Sequence, residues 1–417
     1  MDYSVTHIVA TTLFVAALVH TLCAATFDKL AHRFPRHAGL LHLLGEVEVV
    51  FGFWAILLFA CLAFLQGMDE ALQYVETRRY SEPLFVFVVM VIAASRPVLA
   101  CVTQCVAYLS HRLPGPRALI HIWLCLGWVP LMGSVITEPA AMTLSALLLA
   151  PCLFTREIPE RLKYLAMGVL FVNVSVGGTL TSFAAPPVLM VSKPWGWDTA
   201  FMLQVFGWKA VVTVMVNASW VTWSLRKHAV ATVPVANGVA SSAMPMGVIW
   251  VHLLFLAAVI SAAHHPVVFL GLFLMFLGFT QAYPQHQTPL ILKEALLVAF
   301  FLAGLVVLGG LQQWWLQPLL SQSSPALLYF GALVLTAFTD NAALTYLGTL
   351  TDGLSPQAQY SLVAGAVAGG GLTVIANAPN PAGIALLRKG FANASINAGK
   401  LFKGALLPTC VAVAMLW

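Results

Sequence analysis

The sequence predicts an all-α membrane protein built from two inverted repeats, each with five crossings, one re-entrant hairpin and a broken helix. Three observations support this fold class. The 417-residue chain is 60% hydrophobic and only 8% charged, whereas about a quarter of the residues in soluble domains are charged. Its apolar residues form many runs of roughly 20 residues, the length that spans a bilayer. Two short sequence blocks also recur in the same order in both halves.

The apolar runs define the candidate membrane spans. They cover residues 5–27, 38–65, 83–108, 164–195, 199–225, 246–263, 266–282, 294–312, 357–388 and 396–417. Two further regions, 116–155 and 318–353, carry polar residues in their middle, where a simple span tolerates them least. The first run has no charged segment before it and is too long for a signal peptide, so we expect it to be retained.

Basic residues in the short loops orient these segments, and the net charge of +5 is therefore no sign of nucleic-acid binding. Arg112 and Arg117 border the start of region 116–155, and Arg161 and Lys163 follow it. Both groups stay cytoplasmic, as the positive-inside rule requires, if this region enters from the cytoplasm and returns. The same reasoning makes 318–353 a hairpin that enters from outside. We expect both termini outside the cell inner membrane.

An odd number of crossings in each half inverts the second half relative to the first. We therefore divide the chain into a first repeat at 1–225, a polar connector at 226–246 and a second repeat at 247–417. The hairpin tips support this division. Residues 137–143 read Thr-Glu-Pro-Ala-Ala-Met-Thr, and residues 339–345 read Thr-Asp-Asn-Ala-Ala-Leu-Thr.

A second matched block follows each tip. Residues 177–181 read Gly-Gly-Thr-Leu-Thr, and residues 370–373 read Gly-Gly-Leu-Thr; a proline follows within about ten residues in both cases. Glycine and proline disrupt a helix, and broken backbone inside a membrane is tolerated only where it is buried in protein or lines a cavity. We interpret 164–195 and 357–388 as broken helices that bind a small ion, rather than as plain proline kinks.

Two acidic residues lie at the hairpin tips. A carboxylate near the bilayer centre costs about 2.5–3.5 kcal/mol on insertion scales, so it usually has a partner or a function. Protons and metal cations compete for the same carboxylate oxygens, so such a site can exchange one for the other. The candidate ion ligands are Thr137, Glu138, Asn173, Gly178, Thr179, Thr181, Ser182, Thr339, Asp340, Asn341, Thr373, Asn377 and Asn380.

Four charged residues in other spans are possible charge partners. Glu46, Glu48 and Arg96 could form a buried ion pair that fixes helix packing, or a proton relay, and we favour the ion pair. Lys209 could neutralise one tip carboxylate or extend toward the membrane surface. The seven cysteines all fall in apolar runs, so we expect small buried side chains, no disulfide framework and no structural metal site.

The layout resembles the ion-transporter superfamily, which includes sodium/dicarboxylate symporters, arsenite pumps and bacterial D-type sodium/proton antiporters. Lys293 and Glu294 open a long apolar helix that ends at Gly309-Gly310, similar to the span before the outer hairpin in that superfamily. Residues 377–381 resemble the Pro-Asn break of the dicarboxylate carriers. Within the superfamily the chain is similar to a group of sodium/proton antiporters. The resemblance implies a scaffold domain with a transport domain, a homodimer and an elevator-like motion.

The tip charges distinguish cation from anion transport. Both tips are neutral in the dicarboxylate carriers, whereas here they carry Glu138 and Asp340, and Asp340-Asn341 is similar to the acid-Asn pair of the D-type antiporters. Pro139 departs from the pattern, since the superfamily has Asn there. Because a tip carboxylate repels an anion, we expect sodium/proton antiport by alternating access. The alternative is sodium- or proton-coupled transport of bicarbonate, a carboxylate or an oxyanion.

Other classes of function are disfavoured by the sequence. We find no filter-like repeat of a channel, and no HExxH, GxSxG or phosphate-binding glycine loop of an enzyme. We therefore expect neither enzymatic activity nor a cofactor, only transported Na+ (or Li+) and H+. The expected partners are the small inorganic ion, the lipid bilayer and a second copy of the chain, and no nucleic acid.

Overall fold

The computed structural model describes residues 5–155, 157–228 and 244–417. These residues form helices and contain no strand, which confirms the predicted all-α class. Within them, seven helices are long and apolar enough to cross a membrane, or up to eight if the pair Ser81–Ala93 and Arg96–Arg112, bent by 60°, is one span. The sequence predicts more full-length spans than this. The number is lower in the structure because several of the predicted spans are divided into shorter helices. Arg117–Ile136, expected as part of a hairpin, is one of the seven.

The helices of the N-terminal half lie between Val5 and Leu225. They are α1 (Val5–Arg33), α2 (Ala38–Gly45), α3 (Val47–Gln66), α4 (Met68–Glu76), α5 (Ser81–Ala93), α6 (Arg96–Arg112), α7 (Arg117–Leu126), α8 (Trp128–Ile136), α9 (Glu138–Leu153), α10 (Glu160–Gly177), α11 (Pro186–Trp195), α12 (Thr199–Met202) and α13 (Trp208–Leu225). A π-helical segment, Leu203–Gly207, joins α12 to α13.

The helices of the C-terminal half follow the predicted connector 226–246, most of which lies outside the described residues. They are α14 (Met246–Ser261), α15 (Pro266–Ala282), α16 (Leu292–Gly309), α17 (Gln313–Ser321), α18 (Pro325–Thr336), α19 (Asn341–Thr349), α20 (Pro356–Gly369), α21 (Asn380–Leu387) and α22 (Ala398–Leu416).

Helices α7 to α9 form a helical hairpin that turns at Thr137. The Ser145 hydroxyl on α9 donates to the carbonyl of Cys125 at 2.8 Å, and His121 Nε2 lies 3.4 Å from the carbonyl oxygen of Leu148. These contacts place α9 antiparallel to α7. Thr137 turns the chain with φ 73° and ψ 152°, a conformation that costs a residue other than glycine about 1–3 kcal/mol.

The second acidic tip has a different local geometry. Helices α18 and α19 are separated by residues 337–340, and Asp340 is the N-cap of α19. Its Oδ1 accepts a hydrogen bond from the Ala342 amide at 2.8 Å, the usual contact of an aspartate N-cap. Glu138 instead lies inside the first turn of its helix. Both carboxylates therefore lie at helix starts, where the helix dipole favours negative charge.

Both predicted broken helices are interrupted near their middle. Helix α10 ends at Gly177 and α11 begins at Pro186; α20 ends at Gly369 and α21 begins at Asn380. The two interruptions lie close together, because α10 crosses α20 and the Ser175 hydroxyl on α10 donates to the carbonyl of Val367 on α20 at 2.9 Å. We call residues 178–185 the first break and residues 370–379 the second break.

The helices pack as two groups. The first group contains α1–α6 and α14–α16, and the second contains α7–α13 and α18–α22. Within the first group α3 and α16 approach closely, since a Cβ added to Gly304 would collide with the backbone of Gly52; small residues permit such contact between membrane helices. The two groups meet chiefly at three places. Helices α5 and α6 contact the hairpin α7–α9, α5 also contacts α11, and α16 contacts α19.

Packing partners recur in the two halves of the second group. Helix α9, which starts at Glu138, packs against α21, and helix α19, which starts after Asp340, packs against α11. Likewise α8 packs against α10, and α18 packs against α20. Each acidic tip therefore lies beside the helix that follows the break of the other half.

Candidate functional site

Glu138 is completely buried at the start of α9. Its Oε2 accepts a hydrogen bond from Asn377 Nδ2 in the second break at 2.8 Å. Its Oε1 has no hydrogen-bond partner among the described residues. Gly178 in the first break makes room for this side chain, because a Cβ there would lie 2.5 Å from Oε1. The carboxylate of one tip therefore contacts both breaks.

Asp340 is 5% exposed and is surrounded by backbone amides. The Ala342 amide donates a hydrogen bond to its carboxylate, and the amides of Ala343 and Ala378 lie close enough to favour its negative charge. Neither Asp340 nor Glu138 forms an ion pair with a Lys, Arg or His side chain in the part of the chain that the structure describes. Amide dipoles alone stabilise these carboxylates only partly, so a proton or a bound cation would find a favourable place beside them.

A small cavity lies beside Asp340, at the boundary between the two helix groups. Glu48 of α3 and Phe301 of α16 line it from the first group, and Asp340, Asn377 and Ala378 line it from the second. The cavity has a volume of about 10 Å³, which is roughly what one water molecule needs. A single small cation could therefore occupy it.

Buried oxygen atoms without a hydrogen-bond partner are frequent at the tips and breaks. At least roughly 90% of buried polar groups in proteins are hydrogen-bonded, so each of these atoms is a candidate ligand for an ion or an ordered water molecule. Hard cations take oxygen ligands, and this donor set therefore fits a hard cation. Within the described residues the unpaired atoms include Thr137 Oγ1, Glu138 Oε1, Thr339 Oγ1, Asn341 Oδ1, Asn377 Oδ1 and Asn380 Oδ1.

The oxygen set is mostly neutral. In the ranges that the structure describes, no three His, Cys, Asp or Glu side chains are arranged to hold one metal ion. A cation at this site would therefore take most of its ligands from Asn, Thr and backbone oxygens, with one carboxylate to balance its charge. Such a ligand set suits a monovalent ion better than a divalent one, because a divalent ion needs more negative charge.

Several other predicted ligands form hydrogen bonds of their own within the protein. Thr181 of the first break and Thr373 of the second break each bond to a carbonyl three residues before the acidic residue or threonine of the tip in the same half. These two residues therefore hold the breaks in place. Donors and carbonyl acceptors are Asn173 to Leu126 and Val214, Thr179 to Val176, Thr181 to Ser134 and Thr373 to Ala337; the hydroxyls of Ser182 and Thr199 share a hydrogen bond.

Two predicted ligands hold the second break in place. The backbone N–H of Asn341 donates to the carbonyl of Ala376 at 3.1 Å. Asn380 Nδ2 donates to the carbonyls of Gly370 and Thr373 at 2.9 and 2.8 Å. Both asparagines keep their side-chain Oδ1 unpaired among the described residues, so they brace the break and still offer an oxygen to an ion.

Lys209 does not neutralise a tip carboxylate in this structure. Its ammonium group donates to the hydroxyl of Tyr360 at 2.6 Å and lies 4.7 Å from the centre of that ring. Tyr360 in turn donates to the carbonyl of Leu416. Lys209 therefore joins α13 to α20 and to the end of α22.

Glu46, Glu48 and Arg96, which the sequence places in one possible ion pair, lie at the starts of α3 and α6. Glu46 lies 3.9 Å from the ammonium group of Lys293, at a site where both side chains are partly exposed. Arg96 is the first residue of α6, after the bend that follows α5. Glu48 lies in the first turn of α3 and lines the cavity beside Asp340.

Ser134 has a supporting role that the sequence reasoning did not identify. Its hydroxyl donates to the carbonyl of Gly177 at 2.7 Å and accepts from the amide of Leu180 at 2.9 Å, so it fastens the first break to α8. The available signal was its position three residues before Thr137, where the second half has another hydroxyl residue, Thr336.

The fold and the site together define a multi-pass α-helical membrane protein with a buried, oxygen-rich site beside two helix breaks. No curated protein matches this chain. The model of the family described as "Putative Na+/H+ antiporter" matches residues 5–417. The chain belongs to this family, and the match supports a role in antiport.

Proposed function

We propose that the protein is a sodium/proton antiporter that works by alternating access. The observation that carries this proposal is the placement of two buried carboxylates, Glu138 and Asp340, at helix starts beside two helix breaks, with Asn377 extending between Glu138 and the cavity beside Asp340. Unpaired oxygens surround them. Family membership supports antiport independently of this geometry.

The exchange follows from the energetics of a buried charge. A carboxylate buried without a cationic partner is costly, and either a proton or a sodium ion removes that cost. Both ligands compete for the same oxygens, so binding of one displaces the other. The site then changes its exposure from one side of the membrane to the other at low cost only when it is occupied. This requirement couples sodium movement to proton movement in the opposite direction.

The proposal includes an inverted-repeat architecture with re-entrant hairpins at 116–155 and 318–353. The matched packing of α9 with α21 and of α19 with α11 supports it, as do the repeated tip and break blocks. We assign the elevator-like motion to the second helix group, because it carries both tips and both breaks. We also propose a homodimer in the cell inner membrane with both termini outside, and transport of Na+ or Li+ without a cofactor or an enzymatic reaction.

The test replaces Asp340 by asparagine. Asparagine is as good an N-cap as aspartate, so Asp340→Asn preserves the cap of α19 and removes only the charge. We expect the variant to fold and to lose sodium-dependent proton movement in proteoliposomes. Gel filtration and thermal unfolding in detergent would check folding.

The matched control is Asp352→Asn, since Asp352 is an exposed aspartate whose carboxylate contacts Gln313. It should retain the wild-type rate. Wild-type exchange by a folded Asp340→Asn variant would remove Asp340 from the site.

A further inference from the structure

Glu48 lies at the boundary between the two helix groups. Helix α2 ends at Gly45, Glu46 has an extended conformation, and α3 restarts at Val47. This interruption directs the first turn of α3 toward the cavity beside Asp340, which Glu48 lines. Glu48 is thus the carboxylate that the first helix group contributes to the site.

A proton route from the cavity to the protein surface would pass the charged groups near Glu48. Asp340 lines the same cavity as Glu48. Glu46, two residues before Glu48, is 36% exposed, and its partner Lys293 on α16 is 73% exposed. His20 of α1 is not part of this route, because its ring nitrogens contact the Leu44 carbonyl and the Trp54 indole.

Asn377 provides independent evidence that the cavity binds a ligand. It is 1% exposed and lines the cavity, and its Oδ1 has no hydrogen-bond partner among the described residues. Its Nδ2 is already committed to Glu138, so Oδ1 remains available to a cation or to a water molecule. An unpaired buried acceptor beside two carboxylates is expected where a cation or a proton carrier binds.

We propose that Glu48 accepts the proton that leaves Asp340 when a sodium ion binds. The inference rests on the proposed antiport. In this step the O–H bond of the Asp340 carboxyl group breaks and an O–H bond forms on the Glu48 carboxylate, directly or through one water molecule. The sodium ion then balances the negative charge left on Asp340. Glu48 later releases its proton to water at the Glu46 and Lys293 end.

The position of Glu48 on the first group links proton release to conformation. Asp340 belongs to the second group and Glu48 to the first, so the transfer is possible only while the two groups are placed as in this structure. When the second group moves, Asp340 leaves its proton acceptor behind. Glu48 thereby confines proton release to one side of the membrane.

The test compares two transport modes of Glu48→Gln in proteoliposomes. Sodium/proton exchange requires the relay, whereas exchange of radioactive sodium for sodium without a pH gradient requires no net proton transfer. We expect sodium/proton exchange to fall roughly 100-fold, the lower end of what a positioned proton acceptor contributes. Sodium/sodium exchange should stay within about twofold of wild type. Glu70→Gln is the matched control, since Glu70 is an exposed carboxylate on α4 of the same helix group, and it should leave both modes unchanged.

The Glu48 relay and the proposed antiport can be contradicted separately. If Glu48→Gln keeps wild-type sodium/proton exchange, or loses both modes equally while folded, the relay is wrong. If Glu48→Gln does not fold, Glu48→Asp is used instead, because it keeps the acid on a shorter side chain. This variant should slow sodium/proton exchange relative to wild type and leave sodium/sodium exchange unchanged. An equal slowing of both modes, or of neither, would again contradict the relay. If the wild-type protein exchanges no sodium for protons, the proposed function fails instead.

Discussion

A single added methyl group at Gly178 tests whether the buried Glu138 carboxylate belongs to the site. Gly178 has φ −70°, which alanine adopts without strain. A Cβ there would lie 2.5 Å from Oε1 and 2.7 Å from Cγ of Glu138. Gly178→Ala therefore acts on this carboxylate through contact and not through the backbone.

The size of the effect follows from these distances. A carbon and an oxygen atom in weak contact are about 3.3 Å apart, so the Glu138 carboxylate must move by roughly 0.8 Å. Such a shift would stretch its 2.8 Å bond to Asn377 beyond about 3.5 Å, where a hydrogen bond is effectively lost. Loss of a hydrogen bond to a charged group costs about 1.5–3 kcal/mol. The apparent sodium affinity should fall about 10- to 150-fold.

The assay is the sodium dependence of proton movement in proteoliposomes at fixed pH, which gives an apparent KM for sodium. Gly271→Ala on α15 is the matched control, because no heavy atom lies within 4 Å of a Cβ added there; its KM should equal that of wild type. A wild-type KM and rate for folded Gly178→Ala would refute the role of the Glu138 carboxylate in sodium binding.

Two further predictions concern a strained tip and a charged residue away from it. Thr137→Gly should raise the detergent unfolding temperature, since glycine avoids the cost of about 1–3 kcal/mol for this backbone conformation; an unchanged or lower temperature would contradict that strain. Lys209→Met should leave the KM for sodium unchanged, because Lys209 bonds to Tyr360. A rise in KM of about tenfold or more would show that Lys209 acts on the site.

The sequence was sufficient to identify the residues of the tips and breaks, because the repeated blocks mark them. It could not show which tip meets which break. The Glu138–Asn377 hydrogen bond joins residues 239 positions apart, and a contact between the two halves of the chain leaves no mark in the sequence of either half. The sequence could not predict the role of Asn377 either, because this residue contacts Glu138 in the other half of the chain and also lines the cavity beside Asp340.

The position of Glu48 was beyond sequence reasoning for a different reason. An acidic residue inside an apolar run suggests a nearby basic partner, and Arg96 was the available one. The helix interruption at Glu46, which separates α2 from α3, has no glycine–proline signal strong enough to predict it. Lys209 shows the same difficulty, since the sequence offers no way to choose Tyr360 as its partner over a tip carboxylate.

The most direct test of sodium/proton antiport uses purified protein in liposomes with an internal pH dye and an imposed pH gradient. Sodium, lithium and potassium chloride are added in turn, with gluconate salts as the anion control. Antiport predicts that sodium or lithium collapses the gradient, that potassium does not, and that the anion makes no difference. A gradient that no cation collapses would contradict it, and sodium-dependent uptake of bicarbonate, carboxylates or oxyanions would then be measured.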